Sequence, residues 1–241
     1  MYNNLASSLF DCLDRLWEVY DEIDSLMANL KRIAAYDCPK DCRRCCDTPA
    51  KNVEASIFEI LPLSIHLWQK GEAESCLRKM KETNPESPCV FYEHHPSRQL
   101  AGGCRAYFWR PLVCRLFGFS ATTNKYGKPL IVLCRRIKKM DLGLEDRIQG
   151  MIDQELKIPN NSNYAHKISL INPFLGQIRY SINEALGRAL EMVGYRISLM
   201  SNTHENTSVN ATSKRPEPPH LQPLSQKGRT QEVSKKIRSK R

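Results

Sequence analysis

The chain has 241 residues, a formal net charge of +10 and ten cysteines. A chain of this length is well above the size at which small secreted domains depend on disulfides, which argues against a disulfide framework. No run of 18 apolar residues is present, so no membrane span is predicted. The start lacks the basic and apolar regions of a secretory signal. We therefore expect a cytoplasmic protein, in a reducing compartment where thiols persist.

The positive charge is concentrated at the C-terminus. Residues 201–241 contain nine Lys or Arg and three Glu, which gives this segment +6 of the +10. The segment has few large apolar residues and is rich in Pro, Ser and Asn, so it cannot bury enough surface to become ordered. We predict a disordered basic tail. It is either a solubilising terminus or a contact for an acidic partner, nucleic acid or protein.

Apolar spacing predicts three helices in the first half of the chain. Large apolar residues recur every three or four positions from Leu5 to Ile33, which predicts an N-terminal amphipathic helix within residues 1–36. Cys12 lies on this stripe, so a buried, inert thiol is expected there. The segment EASIFEILPLSIHLWQK predicts a second helix, interrupted or kinked at Pro62. EAESCLRKMKET predicts a third, with Cys76 in the core.

The second half combines loops, one hairpin and further helices. NPESPC and EHHPSRQLAGGC are rich in Pro, Gly and polar residues and are predicted loops. FGFSATTNKYGKPLIVLC predicts two strands joined by a turn at Asn124–Gly127. LEDRIQGMIDQELKI predicts a helix, and Asn172–Pro173 predicts the start of one long final helix that reaches Met200.

These elements indicate a mainly α-helical fold with a small β-hairpin, since neither repeats nor strand–helix–strand units are present. We predict a single metal-stapled, cysteine-rich domain followed by the disordered tail. Its predicted parts are the N-terminal helix at 1–36, a cysteine-cluster region at 37–140, C-terminal helices at 141–200 and the tail at 201–241.

Cysteines crowd the middle of the chain, with four of them in CPKDCRRCC at residues 38–46. Thiolates are soft ligands that suit zinc, copper(I) and iron–sulfur clusters. A structural zinc site and a cubane cluster each take four cysteines, so eight can supply two centres. We therefore predict a protein that binds zinc or iron, with an iron–sulfur cluster among the alternatives. The eight predicted ligands are Cys38, Cys42, Cys45, Cys46, Cys89, Cys104, Cys114 and Cys134.

The adjacent pair Cys45 and Cys46 bears on the number of centres. Successive side chains point to opposite faces in a strand and diverge by about 100° in a helix, so the two thiols do not easily bind one tetrahedral ion. Either they serve two neighbouring centres, or one bridges, or one is a spare thiol. We favour two centres. A disulfide framework fits poorly, because each thiol would need its own partner at a Cα–Cα distance of about 5.5 Å.

CPKDCRRC also matches the C-x3-C-x2-C spacing of radical S-adenosylmethionine enzymes. Those enzymes bind their cofactor on a parallel barrel of strand–helix units, and this sequence shows no such succession. The spacing by itself is common in cysteine-rich loops, so we regard this hypothesis as the weaker one.

Arginine directly follows four of the predicted ligands, at Arg43, Arg105, Arg115 and Arg135. A guanidinium group beside clustered thiolates would lower the thiol pKa and offset the excess negative charge. The alternative is that these side chains simply point to solvent. Arg110–Pro111 is predicted to anchor the loop before Cys114 without contributing a ligand.

The order of these motifs resembles a known family. CPKDCRRCC, CVFY at 89–92, CRAYFWRPLVCRLFGF at 104–119 and Cys134 are similar to the YkgJ-like cysteine-cluster family of bacteria and archaea, of the CxxCxxCC type. The family is described as zinc- or iron-chelating. The resemblance covers residues 38–140, and its one departure is the three-residue gap between Cys38 and Cys42. It implies metal chelation and leaves any reaction undefined.

Two alternatives belong to other classes of function. Flagellin lysine N-methylase is similar to this family in its cysteine pattern, which leaves a protein-modifying enzyme as the second hypothesis. No strand–turn–helix frame for S-adenosylmethionine surrounds Gly102–Gly103. The third hypothesis is a zinc-stapled module that binds nucleic acid through its tail, although aromatic residues do not alternate with the basic ones as in base-stacking surfaces.

Overall fold

The computed structural model describes residues 10–38, 45–93 and 103–210, with side chains up to residue 201. This part of the chain is mostly helical, with small antiparallel strand pairs. The helices are α1 (Leu13–Ala34), α2 (Ile57–Gln69), α3 (Ala73–Lys81), α4 (Leu112–Arg115), α5 (Arg135–Met140), α6 (Leu144–Asp153), α7 (Asn161–Ile171), α8 (Pro173–Gly176) and α9 (Ile182–Asn210). The strands are β1 (Glu54–Ser56), β2 (Tyr92–Glu93), β3 (Gly103–Cys104), β4 (Phe119–Thr123), β5 (Pro129–Leu133) and β6 (Arg179–Ser181).

The chain divides into two units, Met1–Asn202 and Thr203–Arg241. Helix α9 continues to Asn210, past the boundary predicted for the tail, and residues 211–241 lie outside the described part. None of the helices in the described residues is both long enough and apolar enough to cross a bilayer.

Helix α1 has the predicted apolar stripe, and its core-facing side chains are buried. Leu16, Ile23 and Leu30 have no exposed surface. The placement of Cys12 on this stripe was wrong. Cys12 precedes the first turn with a left-handed backbone (φ 66°), and its side chain is half-buried.

Helix α2 begins with a capping box. The Ser56 hydroxyl accepts a hydrogen bond from the backbone N–H of Glu59, and the Glu59 carboxylate accepts one from the backbone N–H of Ser56. The sequence predicts an interruption or a kink at Pro62, and an interruption is excluded because the helix runs through Pro62 to Gln69. Every side chain from Ile57 to Ile65 is buried, so packing on all sides outweighs the local penalty of a proline.

Helices α2 and α9 pack closely through a tryptophan and a glycine. The Trp68 Nε1–H donates to the carbonyl of Leu190 at 2.9 Å. A Cβ atom at Gly194 would lie 2.5 Å from the Trp68 ring, so only glycine leaves room for this contact. The indole is therefore held against the α9 backbone.

The predicted single final helix was wrong. Residues 173–181 form the short helix α8 and the strand β6, and β6 pairs antiparallel with β1 in the register Glu54↔Ser181 and Ser56↔Arg179. Helix α9 starts only after this strand, where the Ile182 N–H donates to the carbonyl of Val53 at 2.7 Å. Strand β1 thus forms its backbone hydrogen bonds with β6, a strand that lies far from it in the sequence.

The predicted hairpin is confirmed. Strands β4 and β5 pair from Phe119↔Leu133 to Thr123↔Pro129, and the Gly127 N–H closes the turn on the carbonyl of Asn124 at 3.0 Å. Next to it lies α7, which the sequence did not predict. Asn160 caps α7, its side chain accepting from the Asn163 N–H.

The buried Glu59 carboxylate connects three segments. Its side chain is 1% exposed, and its Oε1 accepts a hydrogen bond from the backbone N–H of Leu112, the first residue of α4, at 3.0 Å. Oε2 accepts from the capping residue Ser56 at 2.9 Å and pairs with Arg179 of β6 at 3.3 Å. Arg179 also donates to the carbonyl of Glu54 at 2.7 Å. One side chain therefore fixes the start of α2, the start of α4 and the β1–β6 pair.

We expect Glu59→Ala to lower the free energy of unfolding by about 3–5 kcal/mol, because it leaves Arg179 and two buried N–H groups without their acceptor. Urea denaturation followed by circular dichroism measures this. Glu54→Ala is the matched control. Its side chain is exposed, so it should change stability by less than about 0.5 kcal/mol. Equal effects of the two substitutions would contradict the role of Glu59.

Candidate metal centre

Five of the eight predicted ligands line one pocket: Cys45, Cys46, Cys89, Cys104 and Cys114. Its volume is ≈ 50 Å³, several times the roughly 10–15 Å³ that one water molecule needs. The described lining contains a single charged side chain, Arg110, and no carboxylate or imidazole. Apart from the hydroxyls of Thr48 and Tyr92, the side-chain donors that the described lining offers are therefore thiols.

The short hairpin β2–β3 brings Cys89 and Cys104 together. Cys104 pairs with Tyr92 across the two strands. The Tyr92 N–H donates to the carbonyl of Cys89 at 2.8 Å, which turns the chain back before β2. This hairpin falls partly within the predicted loop EHHPSRQLAGGC, whose residues 94–102 lie outside the described part.

Asn183 at the start of α9 holds the Cys89 segment in place. Its Oδ1 accepts a hydrogen bond from the Val90 N–H at 3.1 Å, and its Nδ2 donates to the carbonyl of Pro88 at 3.3 Å. The two bonds bracket Cys89. A helix of the C-terminal part thereby positions one thiol of the pocket.

Cys114 lies on α4, which an internal ion pair attaches to α1. The Arg115 side chain is buried, and its Nη1 donates to Asp24 Oδ2 at 2.5 Å. Its Nε and Nη2 donate to the carbonyls of Arg110 and Phe108, and its guanidinium lies 4.2 Å from the centre of the Tyr20 ring. Arg115 thus fixes α4 and the segment before it.

The sequence predicts that the arginines directly after cysteines either offset thiolate charge or point to solvent. Arg115 neutralises Asp24, Arg105 pairs with Glu93 at 3.3 Å, and Arg135 is exposed. Arg43 lies outside the described residues.

Arg110 is the arginine that acts on the thiols. Its Nε donates to the carbonyl of Tyr107 at 2.8 Å, its Nη1 donates to the carbonyl of Cys114 at 3.3 Å, and it stacks 3.5 Å from the centre of the Tyr107 ring. These contacts agree with the prediction that it anchors the loop. Its guanidinium also helps to lower the pKa of Cys45 and of Cys104.

The thiols of the pocket differ in acidity. A hydrogen bond with Cys46 lowers the pKa of Cys45 to about 6, and the same kind of bond lowers the pKa of Cys104 to about 7. The pKa of Cys46 is correspondingly raised. Burial raises the pKa of Cys89 to about 12 and also raises that of Cys114. The pocket therefore combines two thiols whose pKa is lowered with three whose pKa is raised.

Two further predicted ligands meet at Gly118. A Cβ atom built there would lie 3.8 Å from Cys38 Sγ and 3.9 Å from Cys134 Cβ, and the Cys134 N–H donates to the carbonyl of Gly118 at 3.0 Å. Cys134 lines a second pocket together with Cys45. Cys45 thus borders both groups of cysteines, whereas Cys46 lines only the first pocket among those described.

Residues 37–135 match the CxxCxxCC family. The description of the matching family model is "Putative zinc- or iron-chelating domain". The match confirms the resemblance drawn from the cysteine pattern, and we call these residues the CxxCxxCC segment. Neither a curated protein nor a solved structure matches the chain.

The cysteines of the CxxCxxCC segment suit the metals of the family description by their chemistry. Zinc and iron both accept thiolate ligands, and the described lining of the first pocket contains no carboxylate. As the side chains stand within the described residues, no three His, Cys, Asp or Glu groups close on a single ion position. Cys42 lies outside the described residues, as do His94 and His95.

The two cysteines predicted to be core thiols line neither of the two pockets. Cys76 is buried on α3, where burial raises its pKa, and Cys12 is half-buried before α1. Sequence reasoning missed the residues that hold the segment in place: Glu59, Asn183 and Asp24. Only the capping box of Glu59 had a local signal, because S-x-x-E before an apolar run is typical of a helix start.

The backbone conformation of Gly118, which Cys38 and Cys134 approach, can be tested by substitution. Gly118→Ala should lower the free energy of unfolding by about 1–2 kcal/mol, since its φ of +100° strains any residue with a Cβ atom. Gly150→Ala, in the interior of α6 with open space around it, should instead raise stability by about 0.5–1 kcal/mol. Chemical denaturation of the two variants side by side measures the difference. Stabilisation by both substitutions would show that Gly118 is not constrained.

Proposed function

We propose that the chain is a metal-chelating protein that binds zinc or iron through the cysteines of the CxxCxxCC segment. The observation that carries this proposal is the pocket lined by five thiols and a single arginine, without carboxylate or imidazole in its described lining. Thiols gathered around one pocket, in a chain whose segment matches a zinc- or iron-chelating family description, are best accounted for by a soft metal.

We assign the ligands to two neighbouring centres. The first uses Cys46, Cys89, Cys104 and Cys114, which share the first pocket. The second uses Cys38 and Cys134, which meet at Gly118, and Cys45, which borders the same region. Cys42 completes the second set in this proposal. The division accounts for the adjacent pair, since neighbouring side chains then serve different centres.

The chain's own residues have defined roles in such a centre. Zinc or iron would supply Lewis acidity or, in a cluster, electron transfer. Cys45 and Cys104, whose pKa values are lowered to about 6 and about 7, are available as thiolates near neutral pH. Arg110 offsets part of the excess negative charge. Asn183 and Arg115 hold the segments that carry Cys89 and Cys114.

Elemental analysis of protein purified without oxygen tests the metal content. We expect close to two zinc or iron centres per chain, and a content far below one centre would overturn the proposal. The visible spectrum of the same sample separates the two chemistries. Broad absorption that bleaches in air indicates an iron–sulfur cluster, whereas a colourless, metal-loaded sample indicates zinc.

Cys104→Ala should release metal and destabilise the segment, because a structural zinc site contributes on the order of 10–16 kcal/mol to the folded state. Cys76→Ala is the matched control. It removes a buried thiol that lines neither pocket, so it should keep the full metal content and cost about 1–2 kcal/mol. Metal content per folded chain and thermal unfolding are the measurements. Loss of metal from both variants would remove the distinction between ligand and core thiols.

Cys134→Ala tests the division into two centres. We expect it to lose about half of the bound metal, because the proposed first centre keeps all four of its thiols. Metal analysis after gel filtration, with circular dichroism to verify the fold, gives the answer. Complete retention would make Cys134 a spare thiol. Complete loss from a folded variant would indicate one shared centre.

The other hypotheses stay predictions. A protein-modifying enzyme similar to flagellin lysine N-methylase and a nucleic-acid module are not favoured by any contact among the described residues. The tail on which the nucleic-acid hypothesis depends lies beyond Asn210, outside the described part.

A further inference from the structure

A second pocket of ≈ 840 Å³ opens beside Cys134 and Cys45. Its volume falls within the roughly 300–1,000 Å³ that is typical of sites for small organic ligands. The metal proposal uses only the part of this space beside Cys45 and Cys134, since an ion needs only a small fraction of it.

One wall of this pocket is cationic. Arg135, Arg136 and Lys139, all on α5, line it, and its described lining contains no acidic residue. All three side chains are exposed. Among the described side chains, no carboxylate lies within 4 Å of Arg135 or Lys139, whereas their neighbour Lys138 pairs with Glu145 at 2.6 Å. Arg135 and Lys139 therefore present positive charge that no described carboxylate neutralises.

The pocket lining also contains apolar side chains that are partly exposed to solvent. Phe117 is 47% exposed and Val132 is 44% exposed, and both line the pocket. Ser120 and Asn161 add neutral hydrogen-bonding groups. A ligand that covers this lining would combine at least two negative charges with an apolar or aromatic part.

We propose that this pocket binds a phosphorylated organic molecule of nucleotide size, with its phosphates on Arg135 and Lys139 and its apolar part on Phe117 and Val132. The site is distinct from the metal chemistry, although the ligand would lie over the Cys45 and Cys134 side of the second group of cysteines.

The distribution of charge favours a small ligand over a nucleic acid. Lys125 and Lys128 lie in the turn of the β4–β5 hairpin, whereas the pocket lies at its other end, beside Gly118 and Leu133. Strands of five residues separate the two ends by about 15 Å, at about 3.3 Å per residue. Lys125 and Lys128 therefore do not extend the cationic wall into the continuous track that a polynucleotide backbone contacts.

Isothermal titration calorimetry on the full-length protein as purified tests the site with three probes: adenosine diphosphate, adenosine and inorganic pyrophosphate. We expect adenosine diphosphate to bind at least about tenfold more tightly than either of the others, since only this probe engages both walls; tenfold corresponds to about 1.4 kcal/mol. No binding of adenosine diphosphate at millimolar concentration would overturn the proposal. So would adenosine or pyrophosphate binding as tightly, because one wall would then suffice.

The variant R135Q/K139Q localises the binding. It should weaken adenosine diphosphate binding at least about tenfold and leave metal content unchanged, because both side chains are exposed and neither is a thiol. Lys128→Gln, at the far end of the hairpin, is the matched control and should bind normally. Equal affinities in the two variants would overturn the proposal. Metal content is read on the same samples, so a protein that binds the nucleotide but no metal separates failure of the metal proposal from failure of this one.

Discussion

The buried Glu59 carboxylate is the interaction on which the arrangement of the cysteine region depends. It satisfies backbone N–H groups at the starts of α2 and α4 and compensates Arg179 of β6. A buried carboxylate is tolerated only where such partners are present, so the three segments must meet at one point. The meeting fixes Leu112, and with it the turn that carries Cys114.

The helices that form the core are different from the segments that carry the predicted metal ligands. The core is formed by long helices such as α1, α2 and α9, whose side chains interlock around Tyr20, Phe58 and Leu190. The thiols sit instead on turns, short strands and single helical turns at the edge of that core. Polar contacts attach these segments to the helices. The hydrogen bonds between Asn183 of α9 and the segment around Cys89 are an example. Backbone in turns can bend around an ion, which regular helices cannot do.

Local patterns predicted α1, α2, α3, α6 and the β4–β5 hairpin, because periodicity and turn chemistry are properties of neighbouring residues. These local patterns did not predict the structure of segments that depends on residues far away in the sequence. Strand β6 interrupts an apolar helical pattern only because β1 provides hydrogen-bond partners, and α7 carries few buried residues, chiefly Tyr164 and Ile168. The cysteine spacing indicated soft-metal chemistry. It could not reveal the contacts of Asn183 and Asp24 or the approach of Cys38 and Cys134 to Gly118, which arise only when the chain is folded.

The β1–β6 pair has a consequence for the boundaries of the domain. Strand β1 lies within residues 37–135, whereas its partner β6 lies more than forty residues beyond them. The boundaries drawn by sequence similarity are therefore not those of the cooperative unit. A fragment cut at residues 37 and 135 would leave the edge of β1 unpaired and the Glu59 carboxylate without its cation. Residues on both sides of the cysteine segment are thus part of the smallest piece able to fold by itself.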